Sequence, residues 1–149
     1  IIKILKQMKI SNFKLLTIVT AITLFIGAFT SCSDDNDPTV NITVNEGPDG
    51  DIGGDFTGDG GSGSRTINWM NSLTTADYNA DITSTSSGTF QIVVADANGT
   101  VVLDRSINGA TEPDTIGGVT NTGAPGNWTV TITLESFNGN GSYSLSAGD

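Results

Sequence analysis

Four aspartates, Asp49, Asp51, Asp55 and Asp59, fall within eleven residues of glycine-rich chain. Carboxylates at that density are what a hard divalent cation needs. Calcium takes six to eight oxygens, and glycine lets backbone carbonyls turn inward beside the carboxylates. The tract is not an EF-hand loop, because Gly53 takes the third ligand position and Gly60 stands where a bidentate glutamate belongs. A calcium site on these four aspartates is one reading, and a flexible acidic linker is the other.

Other chemistry is narrowed by what these residues lack. They include no histidine and a single cysteine, Cys32, so Ser-His-Asp, Cys-His and histidine-based zinc or iron sites are excluded within them. A carboxylate pair can hydrolyse a glycoside, but it needs two acids held across a cleft at a defined separation. The glutamates, Glu46, Glu112 and Glu135, fall in or beside expected turns and strand ends, so a hydrolase ranks last. Trp69, Trp128, Tyr78 and Tyr143 have the ring faces of a sugar-binding platform. Each is nevertheless in phase with the aliphatic residues of its strand, which predicts buried core instead.

Lys3, Lys6, Lys9 and Lys14 precede an uncharged apolar run over residues 15–29, the layout of a signal peptide. A retained anchor would need about 20 apolar residues, and this run is shorter and contains three threonines. The run ends in Phe29-Thr30-Ser31-Cys32, which resembles the lipobox of bacterial lipoproteins, with Phe29 where leucine is usual. The resemblance implies cleavage before Cys32, diacylation of its thiol and anchoring on a membrane, since each buried CH₂ contributes about 0.8 kcal/mol. The following Ser33-Asp34-Asp35-Asn36-Asp37 resembles the export signal (Ser33, Asp34, Asp35) of Bacteroidota-type surface lipoproteins. That implies the outer face of the outer membrane, and the alternative is a solvated tether over residues 32–39. From Cys32 onward two arginines face sixteen acids, a formal charge of −14. Such a surface repels phosphate backbones and excludes a nucleic-acid role.

After the tether the pattern is that of strands. Val40, Ile42 and Val44 alternate with polar residues, and period-two alternation returns at Ile67 and Trp69, Tyr78 to Ile82, Phe90 to Val94, Val101 and Leu103, Trp128 to Leu134, and Tyr143 and Leu145. About seven short strands follow. Thr129, Thr131 and Thr133 sit on the outward face of the Trp128 strand, so one face is wet and the sheet is antiparallel. Asn98-Gly99 and Asn138-Gly139-Asn140-Gly141 read as hairpin turns, and residues 46–64 as a long Gly/Asp loop. The expected fold is all-β: one antiparallel β-sandwich or jelly-roll domain over residues 40–149.

Val94-Ala95-Asp96-Ala97-Asn98-Gly99-Thr100-Val101-Val102, Gly126-Asn127-Trp128-Thr129-Val130-Thr131-Ile132 and Asn138-Gly139-Asn140-Gly141-Ser142-Tyr143-Ser144-Leu145 resemble the last strands of bacterial pre-peptidase C-terminal domains. The likeness covers residues 88–147, without the Asp-Leu-Asp-Leu strand typical of that family. It implies a non-catalytic accessory or adhesive module, calcium-binding in some members. Asp114-Thr115-Ile116 resembles the acceptor of Bacteroidota O-glycosylation, which implies a glycan on Thr115 in an exposed loop. The functional expectation is a surface lipoprotein that binds a glycan or an outer-membrane protein. A structural subunit of a surface assembly, built by edge pairing between sandwiches, is the alternative.

Overall fold

In the computed structural model, described for residues 37–47, 50–83 and 85–148, no helix occurs among the described residues. The strands are β1 (Thr39–Ile42), β2 (Asn45–Glu46), β3 (Ile52–Asn71), β4 (Ala76–Ile82), β5 (Ser87–Ala95), β6 (Val101–Asn108), β7 (Thr115–Val119) and β8 (Gly126–Ala147). All pair antiparallel.

The two long strands organise the rest. β3 and β8 pair along their whole length, from Ile52↔Leu145 to Asn71↔Gly126, with register shifts between Asp59 and Gly63. There the ribbon bends back on itself. Its first half carries β1 and β2 beside β3, and β4 then β7 beside β8, giving a front sheet five strands wide. Its second half carries β5 and β6 beside β8, giving a back sheet four strands wide. Three contacts close the fold: Phe56 of the front stacks on Phe90 of the back, Trp69 Nε1 donates to Gly50 O at 2.8 Å, and Arg65 Nη1 donates to Ile42 O at 2.7 Å. The result is an antiparallel β-sandwich, as the alternation predicts.

Two sequence expectations are corrected here. Most of the Gly/Asp stretch is strand, not loop: Ile52 to Ser64 lies within β3, paired with β8 on one side and, as far as Gly60, flanked by β2 and β1 on the other. Glycine is there because chains pass closely at the bend. A Cβ on Gly61 would lie 2.6 Å from the carbonyl carbon of Thr39, and Gly60 takes φ 72°, which other residues adopt at a cost. Asn138–Gly141 is likewise no hairpin. It continues straight through β8, opposite Asp59 to Phe56, and the expected separate strands at Trp128 and Tyr143 are one strand of 22 residues. β7 was not foreseen.

The core lies between the sheets. Trp128, Phe56, Phe90 and Phe137 are among its largest fully buried side chains, and Trp69 meets Trp128 edge to face at 6.0 Å. Tyr78 and Tyr143 are also buried, and the Tyr143 hydroxyl donates to Thr43 O at 2.8 Å. Burial pushes that hydroxyl above its ordinary pKa, with the Arg65 charge opposing. All four aromatics that had a sugar-platform alternative are therefore core.

Asn98-Gly99 is a turn as expected, and Asp96 holds it. Its Oδ1 accepts the Asn98 and Thr100 N–H groups at 2.9 and 2.8 Å, while Oδ2 accepts the Ala124 N–H at 2.8 Å. The hydrogen bond from Ala124, then that from Thr100, holds this carboxyl below its usual pKa against the opposing effect of burial.

Candidate functional site

Every aromatic side chain among the described residues is buried, so any recognition by this part of the chain goes through polar groups and aliphatic side chains. The outer face of the front sheet is where the polar groups converge. In β4 the sequence ADYNADI alternates strictly, with Ala76, Tyr78, Ala80 and Ile82 inward and Asp77, Asn79 and Asp81 exposed. The strand is a central one, bonded to β8 on one side and β7 on the other, so its outward side chains stand in the middle of the face.

Register aligns these residues into rows across the strands. One row runs Asp55, Ser142, Asp81, Thr115. The next runs Asn45, Gly53, Ser144, Asn79, Gly117. A third carries Ser146, Asp77 and Val119. Neighbouring strands stand about 4.8 Å apart and same-face residues along a strand about 6.7 Å. The middle row is low at Gly53, Ser144 and Gly117, while Asn79, the same length as aspartate, stands level with the carboxylates in the rows beside it. Asp59 opposite Asn138 and Thr57 opposite Asn140 extend the polar face toward the bend. The cations of the described residues, Arg65 and Arg105, lie on the back sheet.

Carboxylates accept two hydrogen bonds or more, amides both donate and accept, and serine hydroxyls rotate to suit. A row flanked by such groups fits a ligand with many hydroxyls. The sequence reading missed Asp77, Asn79 and Asp81, although the strict alternation of β4 marks all three as outward. It concentrated instead on residues 49–59.

Of the four aspartates of that tract, the three described, Asp51, Asp55 and Asp59, do not converge. Asp55 and Asp59 stand four residues apart on one face of β3, roughly 13 Å between Cα atoms, whereas calcium ligands all lie within 2.3–2.6 Å of one ion. Asp51 precedes the strand, and Asp49 lies outside the described residues. Among the described residues no three acidic, histidine or cysteine side chains group as a metal site would. Glu46 ends β2, and Glu135 is exposed where β8 shifts register against β5. Thr115 is not in a loop as expected but opens the edge strand β7, exposed, with its hydroxyl donating to Ala80 O at 3.0 Å. Ile116 beside it packs inward and fixes that strand. Cys32, Ser33, Asp34 and Asp35 lie outside the described residues.

No protein-family model matches the chain, and no curated protein does. Among solved structures it is similar to a family 4 carbohydrate-binding module, with 16% identity, TM-score 0.36, and 73% of this chain and 89% of that one covered. It is also similar to a family 61 module in complex with β-1,4-galactotriose, with 9% identity, TM-score 0.37 and coverage of 83% and 92%. A family 11 module from Clostridium thermocellum in complex with a β-1,3-1,4-mixed-linked tetrasaccharide shows 12% identity, TM-score 0.36 and coverage of 74% and 84%. At these TM-scores the likeness assigns neither a family nor a ligand.

Proposed function

We propose that this chain is a non-catalytic binding module, held outside the cytoplasm by lipid on Cys32, whose front-sheet outer face takes an uncharged glycan. The observation that carries the reading is the row Gly53, Ser144, Asn79, Gly117 between Asp55 and Asp81 on one side and Asp77 on the other. Hydroxyls of a sugar chain laid along it would donate to the carboxylates and exchange hydrogen bonds with Asn79. The carboxylates, with no cation of the described residues beside them on that face, repel uronate or sulfate groups, which selects neutral polymers. Without exposed rings the affinity per sugar is modest, and several hydrogen bonds must add up along the row.

Retention of the protein in gels containing neutral polysaccharides tests this directly. Asn79→Ala and Asp81→Ala should each weaken retention about tenfold, the loss of one or two hydrogen bonds to charged or amide groups, while Ser106→Ala on the back sheet should not. Failure to bind any neutral glycan, or equal binding by all three variants, sinks the reading.

The placement rests on the basic and apolar residues before Cys32 and the acidic residues after it. The chain then belongs in the outer membrane facing the exterior, where an outer-membrane protein is a natural partner. Incorporation of an alkyne-labelled fatty acid that disappears in Cys32→Ser, with protease sensitivity of the protein on intact cells, tests it. The accessory-module implication of the pre-peptidase C-terminal resemblance agrees with this assignment.

A further inference from the structure

We infer that the free edge of β3 in the back sheet, residues Gly63 to Asn71, is a pairing edge for a second copy of this chain. Among the described residues, β3 is bonded over this span to β8 on one side only, since β1 reaches Gly60 and β2 pairs with Ile52 and Gly53. Exposed edges are ordinarily blunted by charge, proline, a bulge or shortness. The other edges follow that rule: β6 carries Asp104 and Arg105 and a register shift, β7 is five residues with two glycines, and β1 is four residues with a shift at Thr39. The β3 edge has nine residues in unbroken register, no proline, no acid and a single charge, Arg65.

The absence of acid matters in a chain this negative. Two copies repel over most of their surface, and this edge lets their backbones approach with no carboxylate on the pairing strand. The occupant follows from charge and symmetry. An antiparallel pair centred on Ile67 sets Thr66 opposite Asn68, Ser64 opposite Met70 and Arg65 opposite Trp69, with no like charges facing, as a two-fold interface requires. A cavity of about 220 Å³ beside Trp69 is lined by Glu46, Ile52, Asn68 and Met70. Pairing brings Arg65 of the second copy to that cavity, on the same inward face as Trp69, where the Glu46 carboxylate receives it. Arg65 donates to Ile42 O, and a guanidinium has five donors, so others stay available for Glu46. Joined this way, the two back sheets become one sheet eight strands wide. The edge lies apart from the front face, so this inference does not rest on the glycan assignment.

The test is cysteine cross-linking of the full chain purified in detergent. Directly opposed residues have Cα atoms about 4.5–5.5 Å apart, within disulfide range. Ile67→Cys should give a disulfide dimer on mild oxidation at least tenfold faster than Ser106→Cys on β6. Arg65→Glu in the Ile67→Cys background should slow it about tenfold, and adding Glu46→Arg should restore it. Because Ile67 is partly buried, a mixture of Thr66→Cys and Asn68→Cys chains, both altered at exposed positions, gives a second readout: cross-linked dimer should form faster in the mixture than in either alone. Equal rates for Ile67→Cys and Ser106→Cys, no advantage of the mixture, or no recovery in the charge swap overturns the proposal. So does cross-linking of Ile67→Cys only to a different protein.

Discussion

The ring of Phe56 lies stacked on that of Phe90, centroids 4.6 Å apart and planes 15° from parallel, although one belongs to the front sheet and the other to the back. Phe137 meets Phe56 edge-on at 5.5 Å just where the β3–β8 ribbon bends, so three rings fill the inside of the fold. Truncating either stacked ring leaves a cavity the bent backbone cannot collapse into. Phe56→Ala and Phe90→Ala should each cost about 3–5 kcal/mol by urea unfolding. The double variant should cost less than the two together, by roughly 0.5–1.5 kcal/mol, the usual coupling of an aromatic pair. Strict additivity would mean that the rings do not touch in solution.

The bend itself was partly legible. Buried residues of β8 fall on even numbers from Trp128 to Leu134 and on odd numbers from Phe137 to Leu145, and a phase change of one residue is what an inserted bulge residue produces. Ser136 carries it at φ 46°. Alternation alone gave the strands and the buried aromatics. It failed where glycine replaced the apolar members of the pattern, in β3 at Gly54, Gly58, Gly61 and Gly63 and in β8 at Gly139 and Gly141, because close approach of backbones leaves no hydrophobic signature. The front-sheet face needed register as well. Asp77 to Asp81 alternate visibly in sequence, but their alignment with Asp55 and Ser144 is a long-range pairing that no local pattern encodes.

Asp96 offers a test through pH. Three backbone N–H groups point at its carboxylate, which lowers its pKa from 3.8. A depressed folded value contributes stability above the unfolded pKa and loses it as pH falls through the folded one. Asp96→Asn puts an amide donor against those donors and should lower the melting temperature clearly at pH 7. The gap from the unsubstituted protein should narrow once pH drops below about 4. A gap independent of pH would mean the carboxylate charge is not what holds Ala124.

Gly61 separates a strand from a linker. A methyl group there meets the backbone of Thr39, so Gly61→Ala must displace β1 and should cost about 1–3 kcal/mol, the range for overpacking. Gly50→Ala is the wrong control because its φ is 80°. Thr57→Ser, exposed on the same strand, should stay within about 0.5 kcal/mol. Indifference to Gly61→Ala would return residues 52–64 to a flexible tract.

Calcium is the last discriminating measurement. A site filled at a hundred times its dissociation constant stabilises a protein by about 2.7 kcal/mol, several degrees of melting temperature in a domain this size. With Asp55 and Asp59 spaced along one strand, the expected outcome is a melting temperature within about 1 °C in excess calcium and in chelator. If a rise appears, its location is readable from variants. Loss in Asp51→Asn but not in Asp55→Asn would put the ion at the turn before β3, where the Gly47 N–H donates to Asp51 O at 2.7 Å. Loss in both Asp55→Asn and Asp59→Asn would require the strand to be broken between them, and with it the register that builds the front face.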